Sequence, residues 1–222
     1  MKFSGELHEV RLINFSVDKS EVEEKIPAHF KLLDFNGRAL ISMVDVHLKK
    51  MSVSKLLPSF SYRHVAFRLL LDDSVFSGEE PHGIFFLQSF CNNSLVAAAG
   101  NMVADYNLSS ARIASNGNAT HIEQKGKYLA YELDYEAPCK KNERLFQSVR
   151  RIDRAYASSG ENISLTRITR TEWPIQWADA VTFKTNFFKS AQLEGVFKVN
   201  KVIQYVWEDP QRLPILKYAL CE

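Results

Sequence analysis

Apolar and polar residues alternate along much of the chain with the period of two that half-buried strands require. From Arg38 to Leu48 the residues read RALISMVDVHL. Ile41, Met43, Asp45 and His47 share one face of that strand, and Leu40, Ser42, Val44 and Val46 share the other. Asn36-Gly37 just before it is a strong hairpin-turn signal, pairing the strand with a short one at Leu32 to Phe35. Tyr62 to Leu71 repeats the alternation, with Arg63, Val65, Phe67, Leu69 and Leu71 on one face and His64 and Arg68 on the opposite one. An arginine on an otherwise apolar face stands out. Ile84 to Phe90 reads as a fully buried strand. Together, Ser61 to Ala114 reads as one wall of an internal cavity.

The remaining segments are shorter. Leu7 to Phe15 is strand-like. Asp18 with Glu21 has the form of a capping box for a helix that ends at Pro27. Asn92-Asn93-Ser94 caps a short helix over Leu95 to Ala104, and Tyr106 to Arg112 leaves it as a strand or extended loop. His121 to Glu136 predicts a hairpin turning at Lys125-Gly126-Lys127. Leu145 to Ala157 reads as helix with Ser158-Ser159-Gly160 as its exit, and Ile163 to Thr171 as strand. Trp173 to Trp177 is an extended corner, and Ala178 to Phe188 fits helix or strand equally. The closing VFKVNKVIQYVWED is a strand pair or one long bent strand.

Many short strands, short turns and three or four peripheral helices predict a mainly β (α+β) protein with an antiparallel, barrel-like or cone-like sheet. A chain of 222 residues fits one domain spanning its whole length, and buries about 70–75% of its unfolded surface. A net charge of +2, with Lys and Arg dispersed among nearly as many acids, leaves no basic stripe for nucleic acid. Arg150-Arg151 with Arg154, the densest basic run, reads as a solvated helix face. Cys91, Cys139 and Cys221 are widely spaced and match neither a metal motif nor a disulfide framework. The N-terminal MKFSGELHEVRL lacks the apolar core of a signal peptide, and no apolar run is long enough for a membrane span. The expectation is a soluble, cytoplasmic protein with no membrane or nucleic-acid partner.

FSVDKSEVEEKIPAHFKLLDFNGRALISMV, the strand around Tyr62-Arg63, GIFFLQSF with LVAAAGNMVADYNLSSARI, TEWPIQWADAVTF and VIQYVWED are together similar to the YqjF-like proteins, a bacterial family without an assigned function. The resemblance runs over nearly the whole chain, from about His8 to Pro210. It implies the fold of acetoacetate decarboxylase, a cone-like antiparallel barrel around a deep, largely apolar cavity, and makes a homo-oligomer plausible. That enzyme forms a Schiff base on a lysine whose pKa a neighbouring lysine lowers. The corresponding stretch here, Tyr106 to Arg112, reads YNLSSAR, and no lysine lies between Lys55 and Lys125. Arg112 cannot substitute, because a guanidinium stays protonated.

Without that nucleophile, the candidates are ligand-binding residues. Arg63 would offer an inward fork to a carboxylate, the alternatives being an internal salt bridge with Asp45 or an exposed strand end. Arg112 would bring positive charge to the same cavity, and Phe86, Tyr106 and Trp173 would line it. His64 reads as structural. His47 shares a face with Asp45 but stands too far along the strand for a direct contact. The histidines lack HxxxH or HxH spacing, so no metal is expected. Ser109-Ser110 lacks the GxSxG elbow, Cys91 reads as a small buried residue, and no phosphate-cradling glycine loop calls for a cofactor. The reading is a small organic carboxylate or carbonyl compound bound in an apolar barrel cavity, without Schiff-base decarboxylation. The alternatives are an enzyme with other acid–base chemistry there, or an interaction domain with a filled core.

Overall fold

A computed structural model describes residues 3–28, 30–52, 59–103, 108–135, 141–159 and 162–214. In chain order come β1 (Phe3–Val17), β2 (Lys31–Leu32), β3 (Asp34–Phe35), β4 (Arg38–Ser52), β5 (Phe60–Asp72), α1 (Ser74–Ser77) and β6 (Gly83–Cys91). Then follow α2 (Ser94–Val103), β7 (Leu108–Ser110), β8 (Arg112–Asn116), β9 (Ala119–Gln124), β10 (Lys127–Asp134) and α3 (Glu143–Arg150). The last are β11 (Arg154–Ser159), β12 (Asn162–Arg170), β13 (Gln176–Thr185), β14 (Gln192–Val199), β15 (Ile203–Trp207) and β16 (Gln211–Pro214).

The barrel arises from one strand with two neighbours on the same edge. β1 pairs with β4 along its length, with β15 through Phe3–Leu7 and with β14 through Val10–Ser16. The first half therefore closes a ring of β1, β4, β5, β6, β11, β12 and β15. The second half starts a further sheet, β14-β13-β10-β9-β8. A bulge sits where the two halves meet, with Glu9 at φ 50° and a register shift against β4 between His8 and Arg11. Ring pairings are antiparallel except β6–β11, and β7 also runs parallel to β6. The sheet is thus mainly antiparallel, and the long excursion through β7–β10 and α3 is what allows the parallel return.

Local chemistry explains most elements. Asn36 and Gly37, at φ 54° and 80°, make the left-handed pair of the β3–β4 turn, and Lys125 and Gly126, at 49° and 77°, do the same for β9–β10. Asn93 Oδ1 accepts from the Leu95 and Val96 amides at the start of α2. Two expectations are corrected. Residues 18–26 form two 3-10 turns, Lys19–Glu21 and Glu23–Lys25, not one helix. The Asp18 side chain caps nothing and takes a bond from Arg38, while Glu21 accepts from the amides of Lys189 and Ser190. Likewise α3 stops at Arg150, and Arg154–Ser159 is strand β11, because Tyr156 is needed beside Phe85 in the ring. Ala178 to Phe188, ambiguous in the sequence, is mostly strand β13.

Both faces of the ring are buried, each by a different layer. On the outer face Phe15, Met43, Val65, Phe67 and Phe85 pack with Ile122, Leu129, Tyr131 and Val196 of the second sheet. On the inner face Leu7, Val46, Ala66, Ile84, Phe86, Ala155, Ile203 and Trp207 meet, and Leu145 and Val149 of α3 join them at one end. Gly195 makes that seat possible, since a Cβ there would stand 2.9 Å from Leu145 Cδ2. At the other end Ala97 of α2 packs on Cys91 and Leu108, with Tyr62 alongside.

Candidate functional site

Register fixes which side chains enter the barrel, because residues directly opposite across an antiparallel pair share a face. Three successive rungs of β4, β5 and β6 read Ser42–Arg68–Phe86, Val44–Ala66–Ser89 and Val46–His64–Cys91. From the far side, β12 and β15 contribute the pairs Arg170–Tyr205 and Ile168–Trp207. Tyr62 stands one step beyond His64 on β5, with ring centroids 6.0 Å apart. Phe86 and Tyr205 flank Trp207 at 5.8 and 6.1 Å. The interior is thus an aromatic wall broken by two arginines, a histidine and hydroxyls.

Val44, His64 and Tyr205 keep part of their surface accessible although strands flank them on both sides, and Tyr62 and Arg170, each paired on one side, do so beside them. Burial is nonetheless the dominant influence on the ionisation of Tyr62, His64, Arg170 and Tyr205. Surface that is accessible yet enclosed by protein faces a cavity. Ala66 is the small residue that keeps the middle rung open.

The charge balance in this cavity is one-sided. Arg68 Nε donates to Ser42 O at 3.0 Å and Nη2 to Ser42 Oγ at 2.9 Å. That uses two of the five guanidinium N–H donors. Arg170 donates to Ile152 O, just past α3, and its guanidinium lies 4.4 Å from the Trp173 ring centroid. Within the paired rungs of the ring no aspartate, glutamate or lysine takes an inward position among the described residues. Asp72, on the Arg68 face of β5, lies beyond the last of those rungs and accepts from Ser74 Oγ at 2.6 Å. Burial, and then the charge of Arg170, push Arg68 down to about 9. Burial likewise lowers Arg170, to about 10. Arg170 also feels the negative charge of Asp153, just before β11, whereas no aspartate or glutamate acts on Arg68. A buried cation without a counter-ion is costly.

Burial, then the nearby Arg68 charge, lower His64 to about 4, so its imidazole is neutral near pH 7. Its ring nitrogens have no hydrogen-bond partner among the described residues. This has a consequence for stability. The unfolded state binds a proton at His64 below its ordinary pKa of 6.5, while the folded state does so only near 4. Between those values unfolding takes up a proton, so the folded protein loses stability as pH falls. The full loss is about 3 kcal/mol. Urea unfolding of the parent and of His64→Gln at pH 7 and pH 4.5 checks this: the variant should lose visibly less on acidification, and equal losses would reject the assignment.

The residues singled out from the sequence separate in space. Phe86 lies inside the barrel on the Arg68 rung. Trp173 packs at the edge of the same core, beneath Arg170, with its indole N–H buried and unpartnered. Arg63 is on the outer face, where Nε and Nη2 meet the two oxygens of Asp45 at 2.6 and 2.8 Å and Nη1 meets Glu9 at 2.9 Å. Its fork is committed to that carboxylate. Arg112 is exposed on β8, paired opposite Glu123. Tyr106 lies outside the described residues. The arginines that do enter the barrel, Arg68 and Arg170, were not singled out. A usable signal was present for Arg68: Ala66 and Leu70 flank it on its face, and the acid nearest to it on that strand is Asp72 at the strand's end.

Among the described residues no group of three or more His, Cys, Asp or Glu side chains is placed to hold a metal ion, and no helix is long and apolar enough to cross a membrane.

The model of a family of uncharacterised conserved proteins, DUF2071, matches residues 5–214. The chain belongs to the DUF2071 family. Among curated proteins, none matches the sequence. Solved structures supply the fold. Acetoacetate decarboxylase from Legionella pneumophila superposes with a TM-score of 0.68 at 10% identity, over 96% of this chain and 87% of that one. An acetoacetate decarboxylase-like enzyme from Sphingomonas wittichii gives 0.58 at 9% identity, over 96% and 92%. The enduracididine biosynthesis enzyme MppR, complexed with the condensation product of pyruvate and imidazole 4-carboxaldehyde, gives 0.55 at 12%, over 96% and 88%. This DUF2071 chain therefore has the acetoacetate decarboxylase-like fold expected of it; at such identities the likeness extends to the fold alone.

Proposed function

We propose that the protein binds a small organic carboxylate inside the barrel, with Arg68 and Arg170 as its counter-ions and Phe86, Tyr205, Trp207 and Trp173 as its apolar surround. The observation that carries this reading is the buried Arg68 guanidinium, with Arg170 facing it, on which no aspartate or glutamate acts. A buried arginine whose fork is unmatched is a receptor for a planar anion, since two parallel N–H donors fit two carboxylate oxygens. Ser42 holds the Arg68 guanidinium by its edge and leaves three donors for the ligand. Schiff-base decarboxylation is not part of the reading, because the inward positions of the described ring carry no lysine.

Thermal unfolding with acetate, pyruvate, 2-oxobutanoate, acetoacetate and benzoate tests it. A ligand at about 100 times its dissociation constant adds about 2.7 kcal/mol, or about 5–10 °C for a chain of this size. Arg68→Met should abolish that shift. The variant should itself be as stable as the parent or more so, because an apolar side chain of similar length replaces an uncompensated buried charge. Lost binding would then not be confused with lost folding. No shift with any of the five acids, in a parent that unfolds cooperatively, would reject the proposal.

A further inference from the structure

The barrel holds one group that could act on a ligand rather than hold it. His64 lies two rungs from Arg68 on the same face of β5, and Ser89 and Ala66 form the rung between them. Successive same-face residues along a strand are about 7 Å apart, so the backbones of Arg68 and His64, two steps apart, stand about 14 Å from each other. The Arg68 charge is nonetheless felt at the imidazole, and a ligand anchored at Arg68 extends over Ala66 toward it. Ser89 Oγ, fully buried in the middle of that path, has no hydrogen-bond partner. The hydroxyls of Tyr62 and Tyr205 also lack one among the described residues. A carboxylate subsite, hydroxyls along the path and an unengaged imidazole beyond them suit a ligand with a carbonyl beside its carboxylate and an acidic C–H next to that carbonyl.

Resting on the carboxylate reading above, we infer that the protein is an enzyme of 2-oxo acids in which His64 is the catalytic base that removes a proton from the carbon next to the ketone. The carbon–hydrogen bond breaks, its electron pair moves into the C–C bond as the carbonyl becomes an enolate, and the proton passes to an imidazole nitrogen. The negative charge that develops on oxygen meets the unused donors of Arg68 and the Ser89 and tyrosine hydroxyls, which are fixed before the reaction begins. Return of a proton from imidazolium to carbon restores the oxo acid, so the minimal reaction consumes nothing and appears as exchange of carbon-bound hydrogen with solvent.

The groups facing His64 favour this role once the ligand is bound. Val46 and Cys91 flank it across the rung, Tyr62 is its neighbour on β5, and Arg68 is the charge on its own face. Arg170 and Tyr205 face inward from the opposite wall, and Asp45 lies behind the strand. Burial, and then Arg68, hold the imidazole proton-poor; an anion seated on Arg68 cancels the second of these effects and makes His64 a better base when substrate is present.

The test is proton NMR of pyruvate, 2-oxobutanoate and 2-oxo-4-phenylbutanoate in deuterated buffer with the whole protein. Loss of the C3 proton signals faster than in protein-free buffer is expected for at least one of them. His64→Gln should slow that exchange by about 100-fold or more while leaving the thermal shift with the same acid unchanged. The rate should rise with pH through a single ionisation in the parent and lose that ionisation in the variant. Exchange no faster than in buffer, for an acid that does shift the melting temperature, overturns the inference and leaves the binding reading intact. Exchange unaffected by His64→Gln overturns it as well. No thermal shift with any of the three acids defeats this inference at the binding step, before any question of proton transfer.

Discussion

Asp45→Ala is expected to destabilise the protein by about 3–5 kcal/mol, seen as a fall of about 10 °C or more in melting temperature. Asp45 is fully buried between the ring and the second sheet. It accepts two bonds from Arg63, one from Thr120 Oγ1 at 3.2 Å and one from Tyr131 OH. Arg11, which also bonds Thr120 and Gly117 O, brings a second guanidinium to 4.0 Å. Removing the carboxylate leaves Arg63 with only the half-exposed Glu9 and takes the counter-charge from beside Arg11. It also deprives the Tyr131 and Thr120 hydroxyls of an acceptor, so buried groups keep their desolvation cost with fewer bonds to offset it. Asp45→Leu with Arg63→Leu together should recover much of the loss, because an apolar pair strands no charge. Chemical denaturation of the single and double variants reads both; a single-variant loss below about 1 kcal/mol would show that the network is solvated.

Arg63 also shows what alternation can and cannot reveal. The two faces of β4 and β5 were legible residue by residue, as were the Asn36-Gly37 turn and the Asn93 cap. Which face looks into the barrel was not legible, because a second sheet buries the outer face as thoroughly as closure buries the inner one. Asp45 on one face and Ser42 on the other are both at 0% exposure. Burial-driven alternation therefore loses its usual meaning, and the face with the conspicuous arginine proved to be the one with its acid. Arg170 was hidden for a different reason. Its partner across the ring, Tyr205, is separated from it by β13 and β14, and only the pairing of β12 with β15 brings them together. The parallel β6–β11 pair was equally out of reach, since no local pattern distinguishes a strand waiting for a distant parallel neighbour from the end of a helix.

That parallel seam is the place where the ring is most exposed to a single loss. Asp73→Ala is expected to cost at least as much as Asp45→Ala, about 3–5 kcal/mol, and to open β6 from β11 first. Arg154, fully buried, donates Nε to Asp73 Oδ2 at 2.5 Å and Nη2 to Oδ1 at 3.1 Å, and Tyr156 OH donates at 2.9 Å. The amides of His82 and Gly83 at the start of β6 bond the same carboxylate. Asp73 thus ties the first residues of β6 to the first residues of β11, where Arg154 and Gly83 are register partners. Gly83 has no room for a side chain, since a Cβ would stand 2.4 Å from Asp73 Oδ2. Burial alone would raise the Asp73 pKa, but the donors from Arg154 and Tyr156 outweigh it and hold the carboxyl below its ordinary value. A lowered carboxylate stabilises the fold above its unfolded pKa, and that contribution fades as acid titrates the folded group. Hydrogen exchange of the parent should show the Ile84 and Phe85 amides well protected at neutral pH. In Asp73→Ala the same amides should exchange far faster than those of β4, whose pairing with β1 and β5 is untouched. Uniform loss of protection across β4 and β6 would mean that the seam has no independent opening and that the ring fails only as a whole.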